Sequence, residues 1–195
     1  MGTNEHIFND SGANNTIFSQ VTNSITSPSA VAPPSYSASL AGNVYSAFTT
    51  NSASLGLLGG SVVTSLRLNN PSPTTSAYII RVAGGVGVGL SLLSSLSASY
   101  SIINGGSQSS PSGVTPRNNN LGSSNTSVMS VSSSTSAISG GTAISTMPVV
   151  GGPFIIDFDG AIIVPPSTTL SLSMSASLSV AGVLSVQTSV FWWEA

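Results

Sequence analysis

From about residue 43 onward, apolar side chains alternate with short polar ones. In Leu170-Ser171-Leu172-Ser173-Met174-Ser175-Ala176-Ser177-Leu178-Ser179-Val180 every even position is apolar and every odd position is serine. Successive side chains on a strand point to opposite faces, so one face of this segment is core and the other hydroxyl. A helix would scatter the serines round its circumference, and serine runs disfavour helix interiors because the hydroxyl competes for backbone groups. The same parity groups Val62, Thr64, Leu66 and Leu68, with Arg67 opposite, and Tyr78, Ile80 and Val82, with Arg81 opposite. It continues through Val86, Val88, Leu90 and Leu92, through Leu96, Ala98, Tyr100 and Ile102, through Phe154, Ile156 and Phe158, and along a last strand from about 184 to 193. At least seven such segments predict an all-β domain.

Turn chemistry separates the segments. Gly59-Gly60, Asn69-Asn70-Pro71, Asn104-Gly105-Gly106, Gly140-Gly141, Gly151-Gly152-Pro153, Asp159-Gly160 and Ala181-Gly182 all fall between them. Asp-Gly is a preferred hairpin turn, which predicts a tight hairpin of 154–158 with 161–164 and another of 168–180 with 183–193. Residues 104–127, rich in Gly, Ser, Pro and Asn, predict one long loop and a contact candidate. The strand count and spacing suit an antiparallel β-sandwich of jelly-roll type over residues 41–195.

Residues 1–40 follow another regime. Neither a period of 2 nor of 3.6 persists, and Pro28, Pro33 and Pro34 interrupt regular structure. Two readings stand: a disordered tail, or an extended N-terminal arm that orders against a partner. The apolar pairs Ile7-Phe8 and Ile17-Phe18 speak for the arm, since a solvated linker has little use for them.

Composition then narrows the chemistry. Only 4% of the 195 residues are charged, against about 25% in an ordinary soluble domain. The acids are Glu5, Asp10, Asp157, Asp159 and Glu194; the bases are Arg67, Arg81 and Arg117, with no lysine. Much of the polar remainder is serine, about 43 residues. Three scattered arginines cannot neutralise a run of phosphates, so no nucleic-acid partner is expected. With no cysteine and His6 as the sole histidine, neither a disulfide framework nor a thiolate or multi-histidine metal site is available. No enzyme, cofactor or metal is expected, because nothing credible can take a proton from the many serines. The most apolar window, residues 77–103, is broken by Arg81, glycines and serines, so no membrane span is predicted. The first thirty residues also lack a basic segment followed by an apolar stretch, so no secretory signal is predicted.

Few positions invite a functional reading. Asp157-Phe158-Asp159-Gly160 contains a D-x-D-G fragment, but a calcium loop needs more oxygen ligands than lie nearby, and a turn is the expected role. Arg117, beside Asn118-Asn119-Asn120, either pairs with an acidic group of a partner or caps a neighbouring loop. The end of the chain, Phe191-Trp192-Trp193-Glu194, puts Trp192 on the Leu184, Val186 and Val190 face and turns Phe191 and Trp193 the other way. These aromatics are either anchors of a subunit interface or ordinary core under a second sheet.

The stretch Gly113-Val114-Thr115-Pro116-Arg117-Asn118-Asn119-Asn120-Leu121-Gly122-Ser123-Ser124-Asn125 resembles a segment of structural proteins of tailed bacteriophages. So does Gly152-Pro153-Phe154-Ile155-Ile156-Asp157-Phe158-Asp159-Gly160-Ala161-Ile162-Ile163-Val164-Pro165-Pro166, followed by an alternating strand and a closing Trp-Glu. The resemblance covers about residues 105–195. It implies a small all-β virion protein, above all a capsid cement or decoration protein, on the capsid exterior after synthesis in the host cytoplasm. The implied partners are the major capsid protein and further copies of the chain, as a homotrimer. Ile7, Phe8, Ile17, Phe18, Arg117, Phe191, Trp192 and Trp193 are the candidate contacts. A fibre, spike or tail-associated receptor-facing component is the alternative, and a bacterial surface or matrix protein a more distant one.

Overall fold

The computed structural model describes the backbone of residues 5–10 and 13–18, and backbone and side chains of residues 34–89 and 95–195. The chain divides into two compact units, residues 1–31 and 32–195.

In the first unit β1 (Glu5–Asp10) pairs antiparallel with β2 (Ala13–Phe18), from Glu5 opposite Phe18 to Asp10 opposite Ala13. The absence of a period in this region predicted no regular structure, and here the structure differs. Adjacent apolar pairs such as Ile7-Phe8 conceal strands from a period-2 reading, yet the backbones of the two segments pair along their whole length. The side chains of Ile7, Phe8, Ile17 and Phe18 lie outside the described residues.

The second unit opens with α1 (Pro34–Leu40), inside what the sequence assigned to the arm. Pro34 is tolerated because the first helical N–H has no intrahelical acceptor. Gly42, at φ 72°, ends the helix. The Gly42 N–H donates to the Ser39 carbonyl and the Asn43 N–H to that of Ala38, a Schellman closure.

Next come β3 (Val44–Leu55), β4 (Gly60–Asn69), β5 (Ala77–Gly89), β6 (Leu96–Asn104), β7 (Ser112–Val114), β8 (Arg117–Asn118) and β9 (Ser130–Ser134). β10 (Thr142–Pro148), β11 (Gly152–Val164), β12 (Thr169–Leu178) and β13 (Gly182–Glu194) complete the chain. They form two antiparallel sheets, ordered β10-β6-β12-β4-β9-β7 and β11-β5-β13-β3-β8, packed face to face as a β-sandwich. The eight longer strands pair in nested fashion: β3 with β13, β4 with β12, β5 with β11, β6 with β10. Between the sheets lie Leu66, Leu68, Ile79, Val82, Ile102, Leu172, Met174, Leu184, Val186, Val190 and Trp192, all buried. Polar groups in this core are paired across it: Tyr100 Oη bonds Thr188 Oγ1 at 3.0 Å, and Thr49 Oγ1 bonds Thr64 Oγ1 at 3.3 Å.

Four local expectations are corrected. β12 and β13 are no hairpin; their connection crosses from one sheet to the other, so each finds its partners elsewhere. Asp159-Gly160 is no hairpin turn either. β11 runs on through it along β5, with Asp157 opposite Arg81 and Ile162 opposite Ile79. Asp159 (φ 50°) and Gly160 (φ 88°) absorb the extra residues as a bulge. A second irregularity lies across β5 from it: Phe191 faces Arg81 while Trp192 faces Ile79, which leaves Ile80 over. The parity of β5 therefore shifts, burying Ala77, Ile79 and Val82 and turning Tyr78 outward. Finally, 104–127 is not one long loop. It contains β7 and β8, and its start is fastened to the outer face of the first sheet. Gln108 Nε2 donates to the Ser65 carbonyl at 3.1 Å, Ser132 Oγ donates to Gln108 Oε1 at 2.6 Å, and Ser171 Oγ donates to the Gly105 carbonyl at 2.6 Å. This cover explains why Ser65, Ser171 and Ser173, on the hydroxyl face, are buried.

Candidate interaction surfaces

The outward face of β11-β5-β13-β3 carries the largest departure from a hydroxyl surface. Register sets its rows: Ser46, Phe191, Arg81 and Asp157; beside it Phe48, Ser189, Ala83 and Ile155; on the other side Val44, Trp193, Tyr78 and Ile163. Phe48 is 60% exposed, Ile155 61% and Ile163 50%. Trp193 stacks on Tyr78 with ring centroids 4.0 Å apart and planes 6° from parallel, and both are half-buried. Amid these apolar groups Arg81 Nε donates to Asp157 Oδ1, the only ion pair among the described residues. Its side chains are nearly half exposed, so it supplies geometry more than stability.

Trp192 does not belong to this surface. It is fully buried, 6.1 Å from the Tyr45 ring, and its Nε1–H donates to Glu194 Oε1 at 2.8 Å. As a partner contact it is corrected: strand parity turns it inward under the opposite sheet, and a partner could reach it only by opening the sandwich. Phe191 and Trp193, half-buried on the outside, stay within reach.

Glu194 had no assigned role in the sequence. Its Oε1 also accepts from Ser127 Oγ, and its Oε2 accepts from the Val128 N–H at 3.0 Å. The carboxylate thus ties the segment after β8 to the end of β13. Asn70, fully buried, performs the same service nearby, donating to the carbonyls of Thr75 and Val164 and accepting from the Ser72 N–H. An alternation reading assigns inward polar residues no partner, so neither was visible.

Arg117 lies exposed on β8, opposite Ser46, and forms no ion pair with a described residue. Its neighbours hold the adjoining loops together: Asn118 Nδ2 donates to the Gly42 and Asn125 carbonyls, and Asn120 Nδ2 to that of Ser39. Asp157 and Asp159 serve the ion pair and the bulge, and no group of three or more His, Cys, Asp or Glu comes together among the described residues. No described helix is long and apolar enough to cross a membrane.

Compared with known protein families, curated proteins and solved structures, the chain finds no match.

Proposed function

We propose that the chain is a non-enzymatic virion structural protein of the capsid cement or decoration type, which binds the major capsid protein as a homotrimer on the outside of a phage head. The observation that carries assembly is the outward face around Phe48, Ile155, Ile163 and Phe191, which gathers exposed and half-buried apolar side chains on one sheet. Apolar patches of this kind mark interaction sites. A net charge of −2 provides little self-repulsion between copies. The nested strand pairing supports reading the sandwich as a jelly roll, the architecture of many capsid domains. The phage assignment itself rests on the resemblance of residues 105–195.

In this reading the first unit is the grip. A two-stranded hairpin is marginal by itself in water and gains stability on a neighbouring surface. Co-sedimentation with phage heads lacking the protein tests the proposal. The full chain is expected to pellet with the heads, and a chain without residues 1–31 to stay in the supernatant while remaining folded. A full chain that stays in the supernatant contradicts it. A receptor-facing fibre or spike component is the second reading, favoured by the polar depression at one end of the sandwich.

A further inference from the structure

We propose that this depression, at the end of the sandwich where β13 finishes, binds an uncharged, hydroxyl-rich ligand: a neutral saccharide unit. It measures about 570 Å³, within the range of about 300–1,000 Å³ typical of small-molecule sites. Asn43, Tyr45, Thr75, Asn125, Thr126 and Glu194 line it. None is cationic, and the one charge is negative, so an anion is disfavoured. The lining groups are mostly hydrogen-bonding ones, so an oily ligand is disfavoured too.

The decisive feature is unfilled hydrogen-bonding capacity. Buried polar groups are almost always paired, and Tyr100, Asn70 and Glu194 in this fold obey that rule. Tyr45 does not. The residue is 2% exposed, yet its hydroxyl bonds to no described residue. Its ring is fixed between β13 and the neighbouring core, so the hydroxyl cannot swing elsewhere. Asn125 Nδ2 donates to the Ala41 carbonyl at 3.1 Å and to Asn43 Oδ1 at 3.2 Å. Those two bonds use both donors of Asn125 and leave its Oδ1 as an acceptor next to Asn43 Nδ2 as a donor. A side-by-side acceptor and donor is the complement of two vicinal hydroxyls. The backbone beneath is preorganised, because Asn118 Nδ2 holds the Asn125 carbonyl and the Asn125 N–H donates to Ser123 Oγ.

The inference does not depend on where the chain is assembled. Titration of the full chain with glucose, galactose, mannose and N-acetylglucosamine, followed by amide NMR, tests it. At least one of these sugars is expected to shift the amides of Asn43, Thr75, Asn125 and Thr126, and glucuronate to shift them less than glucose does. Tyr45→Phe and Asn125→Ala are each expected to weaken that binding by roughly tenfold. Thermal stability of Tyr45→Phe should not fall, since the hydroxyl it removes has no partner in the fold. The inference is overturned if none of the four sugars moves these amides, if the shifts lie elsewhere on the protein, or if both variants bind as tightly as the parent.

Discussion

Trp192 and Trp193 are chain neighbours with opposite tasks: one fills the space between the sheets, the other covers a tyrosine on the outside. Trp192→Ala removes a fully buried indole and leaves Glu194 without one donor, so we expect a loss of about 3–5 kcal/mol in urea unfolding. Trp193→Ala should cost much less stability. Tyr100 sets a pH limit. Burial pushes its phenol above the ordinary value, only partly offset by the Thr188 hydrogen bond. A raised folded-state value means that its stability contribution is whole below the unfolded phenol's pKa of about 10 and is lost as pH rises beyond it. The urea midpoint should therefore fall above about pH 10, and Tyr100→Phe should flatten that fall. Alternation alone made the orientations of Trp192 and Tyr100 legible. It could not reveal Glu194 or Asn70, whose partners arrive from segments 66 and 94 residues away.

At the scale of elements, β4, β6, β11, β12 and β13 follow the hydrophobic pattern closely, and the errors lie where the pattern is locally ambiguous. Asp159-Gly160 has the residues of a hairpin turn and does adopt positive φ, but β5 continues alongside and converts the turn into a bulge. Nothing local distinguishes the two outcomes. The bulge has a use: β11 ends its sheet, and a bulge together with Pro153 spoils a thirteen-residue edge for pairing with another chain. With no lysine to guard its edges, the chain relies on backbone irregularity. Gly84 illustrates how tightly the neighbouring strand is built. A Cβ there would sit 2.6 Å from the Gln187 carbonyl oxygen and 2.8 Å from the Phe154 ring, which itself packs edge-on against Tyr100. Gly84→Ala should destabilise by about 1–3 kcal/mol. Gln108→Ala should leave the core intact and speed amide hydrogen exchange in residues 105–110, which cover part of the serine face, and in the end of β9 that Gln108 holds through Ser132.

For the whole molecule, the two sheets present unlike exteriors. The β12 side is mostly serine, partly roofed by its own loops, with Ile144 of β10 exposed; the β13 side holds exposed Phe48, Ile155 and Ile163. If the chain assembles as proposed, paired substitution of Phe48→Asp and Ile155→Asp should give monomers in sedimentation where the parent chain gives an oligomer, with little change in the melting temperature of the fold. A parent chain that is monomeric at micromolar concentration would remove the assembly reading. The all-β class and the sandwich were legible from the hydrophobic period, whereas the hairpin of residues 5–18 was not, because its apolar residues come in adjacent pairs. The most direct test of the account is cryo-electron microscopy of phage heads mixed with the purified chain. We expect density for the sandwich in clusters of three on the outer surface of the shell, with residues 5–18 against the capsid protein. Bare heads, or density confined to a tail or fibre, would contradict it.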